Sequence, residues 1–173
     1  MIIIPIDSLG CHCNGKKRSK PWKVKLLCYD RLTKQAIALV DGETDLIANI
    51  SNISALLYME LEDINWTGFY FLKEDPLVLG PFQDKPACVR IPVGRGVCGK
   101  AIAQNNVLRV EYVHQFEGHI ACDAASNSEI VIPFFVKGKL YGVLDIDSPN
   151  LSRFDQVDED GLISFIEELQ KKL

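Results

Sequence analysis

The chain predicts an α+β domain. Three observations predict it: apolar residues at helical spacing near both ends, a run of strand-like segments between them, and a Lys-Gly turn signal joining the two longest of those segments. A length of 173 residues suits a single domain with a full core and no need of disulfides or structural metal.

Residues 1–25 carry neither period and are read as an N-terminal tail with no assigned role; the domain is expected over 26–173. From Leu26, apolar residues recur at helical spacing through Leu32, Ala36, Leu39 and Val40. Asp41-Gly42 punctuates the chain, and a second helix follows through Leu46, Ile47, Ile50, Ile53, Leu56 and Leu57, with Thr44 or Asp45 as its N-cap. The period then shortens. "INWTGFYFL", "PLVLGPF" and "ACVRIP" read as strands separated by Pro and Gly, "GRGVCGKAIAQNN" as a glycine-rich turn into a short helix, and "VLRVEYV" as a further strand. "SEIVIPFFV" and "KLYGVLDID" form a hairpin around Lys137-Gly138. Asp155 to Leu173 is an amphipathic helix with Val157, Leu162, Phe165, Ile166 and Leu169 on one face. The expected sheet has about six strands, mostly antiparallel.

Composition removes several function classes. A formal charge of −4, from 19 basic and 23 acidic residues, comes without a basic stripe interleaved with aromatics, so nucleic acid is not an expected partner. The one basic run, "KKRSKPWKVK", reads as solvated tail. "MIIIP" is too short for a secretory apolar region, and no stretch approaches the roughly 18 apolar residues of a membrane span, so a soluble, cytoplasmic protein is expected. In that compartment the cysteines at 11, 13, 28, 88, 98 and 122 do not form a static disulfide framework, and any disulfide is expected to be transient and catalytic. The wide spacing of Cys88, Cys98 and Cys122 lacks the close pairs of zinc sites, and "CHC" in the tail is too short a cluster to count, so no metal is expected.

Three cysteines sit in distinct contexts. Alternation in "ACVRIP" sets Ala87, Val89 and Ile91 on one face and Cys88 with Arg90 on the other, wetter one. Cys98 follows Gly94 and Gly96 at a helix start, where the macrodipole favours a thiolate. Cys122 lies in "GHIACDAASNSE" between His119 and Glu129, beside Asp123. Taken singly, each also reads as an inert, buried small hydrophobe, the usual state of a free cysteine.

The second constellation is acidic. Period two in "YGVLDID" puts Tyr141, Val143, Asp145 and Asp147 on one face, and two acids on an apolar strand face invite a cation such as a ligand ammonium, unless both lie at a solvated strand end. Glu129 joins them only in one register. A plain two-residue turn at Lys137-Gly138 pairs Glu129 with Ile146 and turns it away, whereas a longer turn or a bulge near Pro133 brings the three acids together. Trp66 and Tyr70 share a strand face and read either as core or as walls for a small apolar group such as a methyl.

"NWTGFYFL", "LVLGPFQDKPACVRIPVGRGVCG", "GHIACDAASNSEIVIP" and "GVLDIDSP" followed by "RFD" closely resemble the free methionine-(R)-sulfoxide reductases, a family built on a stand-alone GAF domain. The likeness runs from about residue 26 to the C-terminus; the first 25 residues have no counterpart, which leaves Cys11 and Cys13 without a role. The resemblance implies a GAF-like central sheet with N- and C-terminal helices on one face and the ligand site on the other. It implies Cys122 as nucleophile, Cys88 as main resolving thiol and Cys98 as accessory thiol. It makes Glu129, Asp145 and Asp147 the carboxylates that hold substrate and assist the sulfoxide oxygen, and Trp66 and Tyr70 the wall around the substrate methyl.

A sulfoxide sulfur becomes electrophilic only when its oxygen is protonated or strongly hydrogen-bonded, so a thiolate needs an acid beside it, and Glu129 is the expected one. The implied cycle passes through a Cys122 sulfenic acid and a disulfide with Cys88, or with Cys98, recycled by thioredoxin, with no cofactor and with free methionine sulfoxide as substrate. A homodimer is implied by the resemblance alone. The alternative class is a GAF module that senses a small ligand or redox state without turnover.

Overall fold

The computed structural model describes residues 21–118, 120 and 124–173. Helices α1 (Pro21–Val40) and α2 (Leu46–Glu60) precede strands β1 (Trp66–Leu72), β2 (Pro76–Asp84) and β3 (Arg90–Pro92). Helix α3 (Gly96–Gln104), strands β4 (Leu108–Val110), β5 (Ser128–Val136) and β6 (Lys139–Ser148), and helix α4 (Gln156–Leu169) complete the domain. The six strands form one sheet in the order β3-β2-β1-β6-β5-β4, with every neighbouring pair antiparallel. This is the α+β architecture expected.

The sheet has two differently used faces. On one, Phe69, Phe71, Ile130, Ile132, Phe134, Leu144 and Ile146 pack against α1, α2 and α4 in the main core. On the other, Trp66, Tyr70, Val131 and Val143 meet Val97, Cys98, Ala101 and Ile102 of the short helix α3. Because α3 covers only part of that face, room for a cleft remains beside it.

Helix α1 begins at Pro21, ahead of the expected start at Leu26. Proline at a first helical position forfeits no hydrogen bond, since that N–H has no intrahelical acceptor. The stripe that α1 buries is Tyr29, Leu32, Ala36 and Val40, whereas Leu26 and Leu39 are 43% and 41% exposed and lie off it. Helix α2 is capped by Asp45, whose side chain accepts the Ala48 N–H at 2.8 Å. "VLRVEYV" is strand only over Leu108–Val110; beyond it the Val113 N–H donates to Asn127 O at 2.9 Å and Val113–Gln115 turn into a 3₁₀ helix.

At the start of α4, Asp158 is 1% exposed and accepts from Tyr29 Oη (2.9 Å), Lys25 Nζ (2.8 Å), Arg153 Nη1 (3.2 Å) and the Asp155 N–H (2.9 Å). Asp155 returns the last of these bonds by accepting the Asp158 N–H at 3.0 Å, completing a capping box. Tyr29 and Lys25 belong to α1, so this acid joins the two ends of the chain.

The β5–β6 hairpin resolves the question of register. Val136 pairs with Lys139 across a two-residue turn, with Lys137 and Gly138 both at positive φ (50° and 76°) as a type I′ turn demands. The register then slips, because Phe135 pairs with Leu140 but Phe134 with Gly142, leaving Tyr141 as the extra residue of a bulge. Beyond the bulge Glu129 pairs with Asp147, and Val131 with Asp145. Tyr141 itself, expected on the face of Val143, instead packs with Phe71 and Phe134 in the main core, because the bulge resets the alternation at that residue. Glycine is required next to it: a Cβ on Gly142 would lie 2.0 Å from Tyr70 O.

Candidate active site

The register places the acids. Strand β6 pairs with β1 so that Trp66 faces Asp147, Gly68 faces Asp145 and Tyr70 faces Val143. Residues directly opposite in an antiparallel pair share a face. Trp66, Tyr70, Asp145, Asp147 and Glu129 therefore point to the side that α3 half covers, and all five line one cleft together with Cys98 and Ser126.

The aromatic wall is closely packed. Trp66 stacks on Tyr70 (centroids 6.0 Å apart) and on Phe82 (5.5 Å), and both site aromatics are almost wholly buried. Gly68 makes this possible, since a Cβ there would come 2.6 Å from the Trp66 ring and 2.4 Å from Phe82 Cβ. Their polar ends have a second task. Trp66 Nε1 donates to Lys85 O and Tyr70 Oη to Cys88 O, each at 3.0 Å, tying down the loop that leads into β3.

Cys88 belongs to that loop and not to a strand. Because β3 starts only at Arg90, the expected alternation fails: Val89 is 64% exposed while Ile91 is 5% exposed. Cys88 is half-buried and packs against the apolar cluster that contains Ile91 and Val97. It is disulfide-bonded, and its partner is neither Cys28 nor Cys98. Cys122, with His119 and Asp123, lies outside the described residues.

Cys98 is the third residue of α3, where a thiolate was expected, and the structure reverses that expectation. The side chain is a buried free thiol in long contact with Glu129 Oε1 (3.8 Å). Burial, with Asp145, Glu129 and Asp147 around it, pushes the thiol well above its usual range. Desolvation and three carboxylates outweigh one helix terminus.

Glu129 and Asp145 are 6% and 7% exposed. Burial first, and the neighbouring Asp145 and Asp147 next, push the Glu129 carboxyl well above the ordinary carboxylate range. Asp145 is raised by burial to about 6, held there by hydrogen bonds from Cys98 and Glu129. The bond between the two acids raises Glu129 and lowers Asp145, so Glu129 is the protonated donor and Asp145 the acceptor. The other Asp145 oxygen, Oδ1, is buried without a hydrogen-bond partner. At neutral pH the cleft thus holds a neutral carboxylic acid beside an ionised carboxylate with a bare oxygen.

Two features of the site escaped the sequence. Asn65 donates from Nδ2 to Ser126 Oγ (3.1 Å) and from its N–H to Asp147 O (3.0 Å), fastening the segment after Cys122 to the acid-bearing strand. It precedes Trp66 in a quoted stretch, but no periodicity marks it. The second is that the Cys98 sulfur and one carboxylate oxygen each of Glu129 and Asp145 lie within 4.8 Å of one another, close enough to converge on a single ion. The widely spaced cysteine trio gave no such signal because two of these three donors are carboxylates on separate strands.

A GAF-domain family model matches residues 35–169, which accounts for the sheet and its helices. Free methionine-R-sulfoxide reductase of Escherichia coli (strain K12) is 60% identical over 145 residues, 84% of this chain and 88% of that relative. The solved structure of reduced fRMsr of Staphylococcus aureus matches with a TM-score of 0.81 at 52% identity, covering 84% of this chain and 94% of that one. Free methionine-R-sulfoxide reductase from Neisseria meningitidis, solved with its substrate, matches with a TM-score of 0.80 at 39% identity, covering 91% and 93%. The chain therefore belongs to the GAF-domain family and, within it, to the free methionine-R-sulfoxide reductases. Among the described residues no helix is long and apolar enough to cross a membrane.

Proposed function

We propose that this oxidoreductase converts free L-methionine (R)-S-oxide to L-methionine, with Cys122 as nucleophile, Glu129 as general acid, Cys88 as resolving thiol and Cys98 as an accessory thiol. The observation that carries the reading is the pair of acids in the cleft: a protonated Glu129 beside an ionised Asp145, walled by Trp66 and Tyr70.

The Cys122 thiolate attacks the sulfoxide sulfur as Glu129 gives its proton to the oxygen. The sulfur–sulfur bond made in that attack and the substrate's sulfur–oxygen bond then both break as the protonated oxygen passes to Cys122: the substrate sulfur gains two electrons and leaves as the thioether of methionine, and Cys122 is oxidised to a sulfenic acid. Cys88 then attacks that sulfur, expelling water and forming a disulfide. An external dithiol, thioredoxin by the family likeness, restores both thiols through a mixed disulfide. A disulfide-bonded Cys88 whose partner is neither Cys28 nor Cys98 supports the resolving step. The protonated, buried Cys98 supports an accessory role over a nucleophilic one.

Selectivity for the free amino acid follows from charge. Asp145 and Asp147 on one strand face hold the substrate ammonium, which a peptide bond abolishes, and the stacked rings of Trp66 and Tyr70 take the methyl. The reading includes a cytoplasmic location, expected from the sequence, and assembly as a homodimer, implied by the family resemblance. The test is methionine release from each separate epimer of free methionine sulfoxide with excess dithiothreitol. Turnover of the R epimer alone, abolished by Cys122→Ser, is expected; no turnover of either epimer by folded, reduced protein contradicts the proposal and favours a sensing module.

A further inference from the structure

We propose that Cys98, Glu129 and Asp145 form a thiolate–dicarboxylate site for a borderline-soft divalent cation of the zinc class, whose occupancy closes the cleft to substrate. The three donor atoms come from α3, β5 and β6 and stand within 4.8 Å of one another. Donors around a tetrahedral ion at metal–ligand distances of about 2.0–2.3 Å lie about 3.3–3.8 Å apart. Side-chain rotations of about 1 Å therefore bring this set to coordination distance, with no movement of the sheet.

The second observation is independent of that distance. Asp145 is 7% exposed, it lines the cleft, and its Oδ1 is buried with no hydrogen-bond partner. A bare buried carboxylate oxygen lacks the cation or donor that burial ordinarily requires. Among the described residues lining the cleft the one basic side chain is Lys85, which is exposed. Donor chemistry narrows the choice of ion. One sulfur and two carboxylate oxygens suit zinc or cobalt(II), whereas magnesium and calcium require an all-oxygen shell. Three protein donors leave the fourth tetrahedral position to water, inside a cleft that Trp66 and Asp147 also line.

Binding releases the thiol proton of Cys98 and the carboxyl proton of Glu129, with no change in oxidation state. The ion then occupies the place assigned to the substrate ammonium and removes the acid from the reaction. The inhibition rests on the proposed function; the binding does not.

The test is titration of the fully reduced full-length protein with cobalt(II) chloride, read by absorbance. The expected result is a thiolate-to-cobalt charge-transfer band with tetrahedral ligand-field bands, saturating near about one equivalent and bleached by zinc chloride. Cys98→Ser abolishes the charge-transfer band and Asp145→Asn weakens apparent affinity at least about tenfold, while Cys122→Ser and Cys88→Ser retain the band. A folded, reduced protein with no band, or a band that survives Cys98→Ser and disappears in Cys122→Ser or Cys88→Ser, overturns the site. With methionine sulfoxide as substrate, zinc is expected to raise apparent KM with kcat unchanged; inhibition on kcat alone overturns the closure of the cleft even where the band is present. Absence of reductase activity leaves the spectroscopic arm intact, so the two readings fail separately.

Discussion

Asp158 and Asp145 are both buried acids, 1% and 7% exposed, serving opposite faces of one sheet in opposite ways. Asp158, on the helix side, is surrounded by Lys25, Arg153, the Tyr29 hydroxyl and a backbone N–H. Asp145, on the cleft side, has Glu129 and Cys98 for company and a bare Oδ1. A buried charge that its own chain neutralises holds helices together; one left incomplete is poised for something from outside. The difference separates stability from function within a single domain, and substitutions on the two sides should separate them experimentally.

The largest effect is expected at Glu129. Glu129→Gln keeps the shape and removes the proton that reaches the sulfoxide oxygen, so kcat should fall by about 10²–10⁴ while thermal stability holds or rises. Steady-state kinetics beside a melting curve checks this; a variant with wild-type kcat sinks Glu129 as the acid. On the other face the pattern inverts. Asp158→Ala takes the buried acid away from Lys25 and Arg153 and breaks the capping box, costing about 3 kcal/mol in urea unfolding. The figure is the low end for a broken buried pair because Lys25 is 37% exposed and keeps Asp155 within reach. Activity per folded molecule should be unchanged, and a matching loss of kcat would erase the contrast between the faces.

Asp145→Asn is expected to be smaller and double-edged. Loss of one charge-assisted contact to the ammonium should raise KM about 10–100-fold, from about 1.5–3 kcal/mol. Stability should move the other way, and its pH dependence has a definite sign. Burial raises Asp145 to about 6 in the folded protein against 3.8 ordinarily, so between those values the folded state binds more protons than the unfolded one. Its contribution therefore favours folding at the acid end of that window and is lost as pH rises through about 6. Urea midpoints of wild type minus Asp145→Asn, followed from pH 4 to pH 7, should decline across that window; a rising difference would place a cation beside Asp145.

Much of this was legible in the sequence. Helical period gave three of the helices, alternation and turn residues gave β5, β6 and their joining turn, and the family likeness gathered Trp66, Tyr70, Glu129, Asp145 and Asp147 before any coordinates did. What remained hidden depended on single-residue events. One extra residue at Tyr141 decides whether Glu129 faces the aspartates, and no propensity marks a bulge there. The Cys88 segment carries a strand-like composition, yet the Lys85 and Cys88 carbonyls serve Trp66 and Tyr70, while the Val89 carbonyl accepts the Leu79 N–H of β2. Cys98 sits where a helix terminus promises a thiolate, but the carboxylates that reverse the promise come from strands some thirty and more residues away in sequence. The Asp158 cluster was equally invisible, because Lys25 lay in what reads as tail.

The central claim is that Glu129 holds a proton at neutral pH inside a cleft whose ionised acid is Asp145. Infrared difference spectroscopy of the reduced protein tests it most directly, comparing wild type with Glu129→Gln in H₂O and D₂O. The expected result is a carbonyl stretch of a buried, protonated carboxylic acid at neutral pH, shifted by deuterium and absent from Glu129→Gln. A folded wild type without that band, or a band that persists in Glu129→Gln and disappears in Asp145→Asn, would contradict it by removing the proton or assigning it to the other acid.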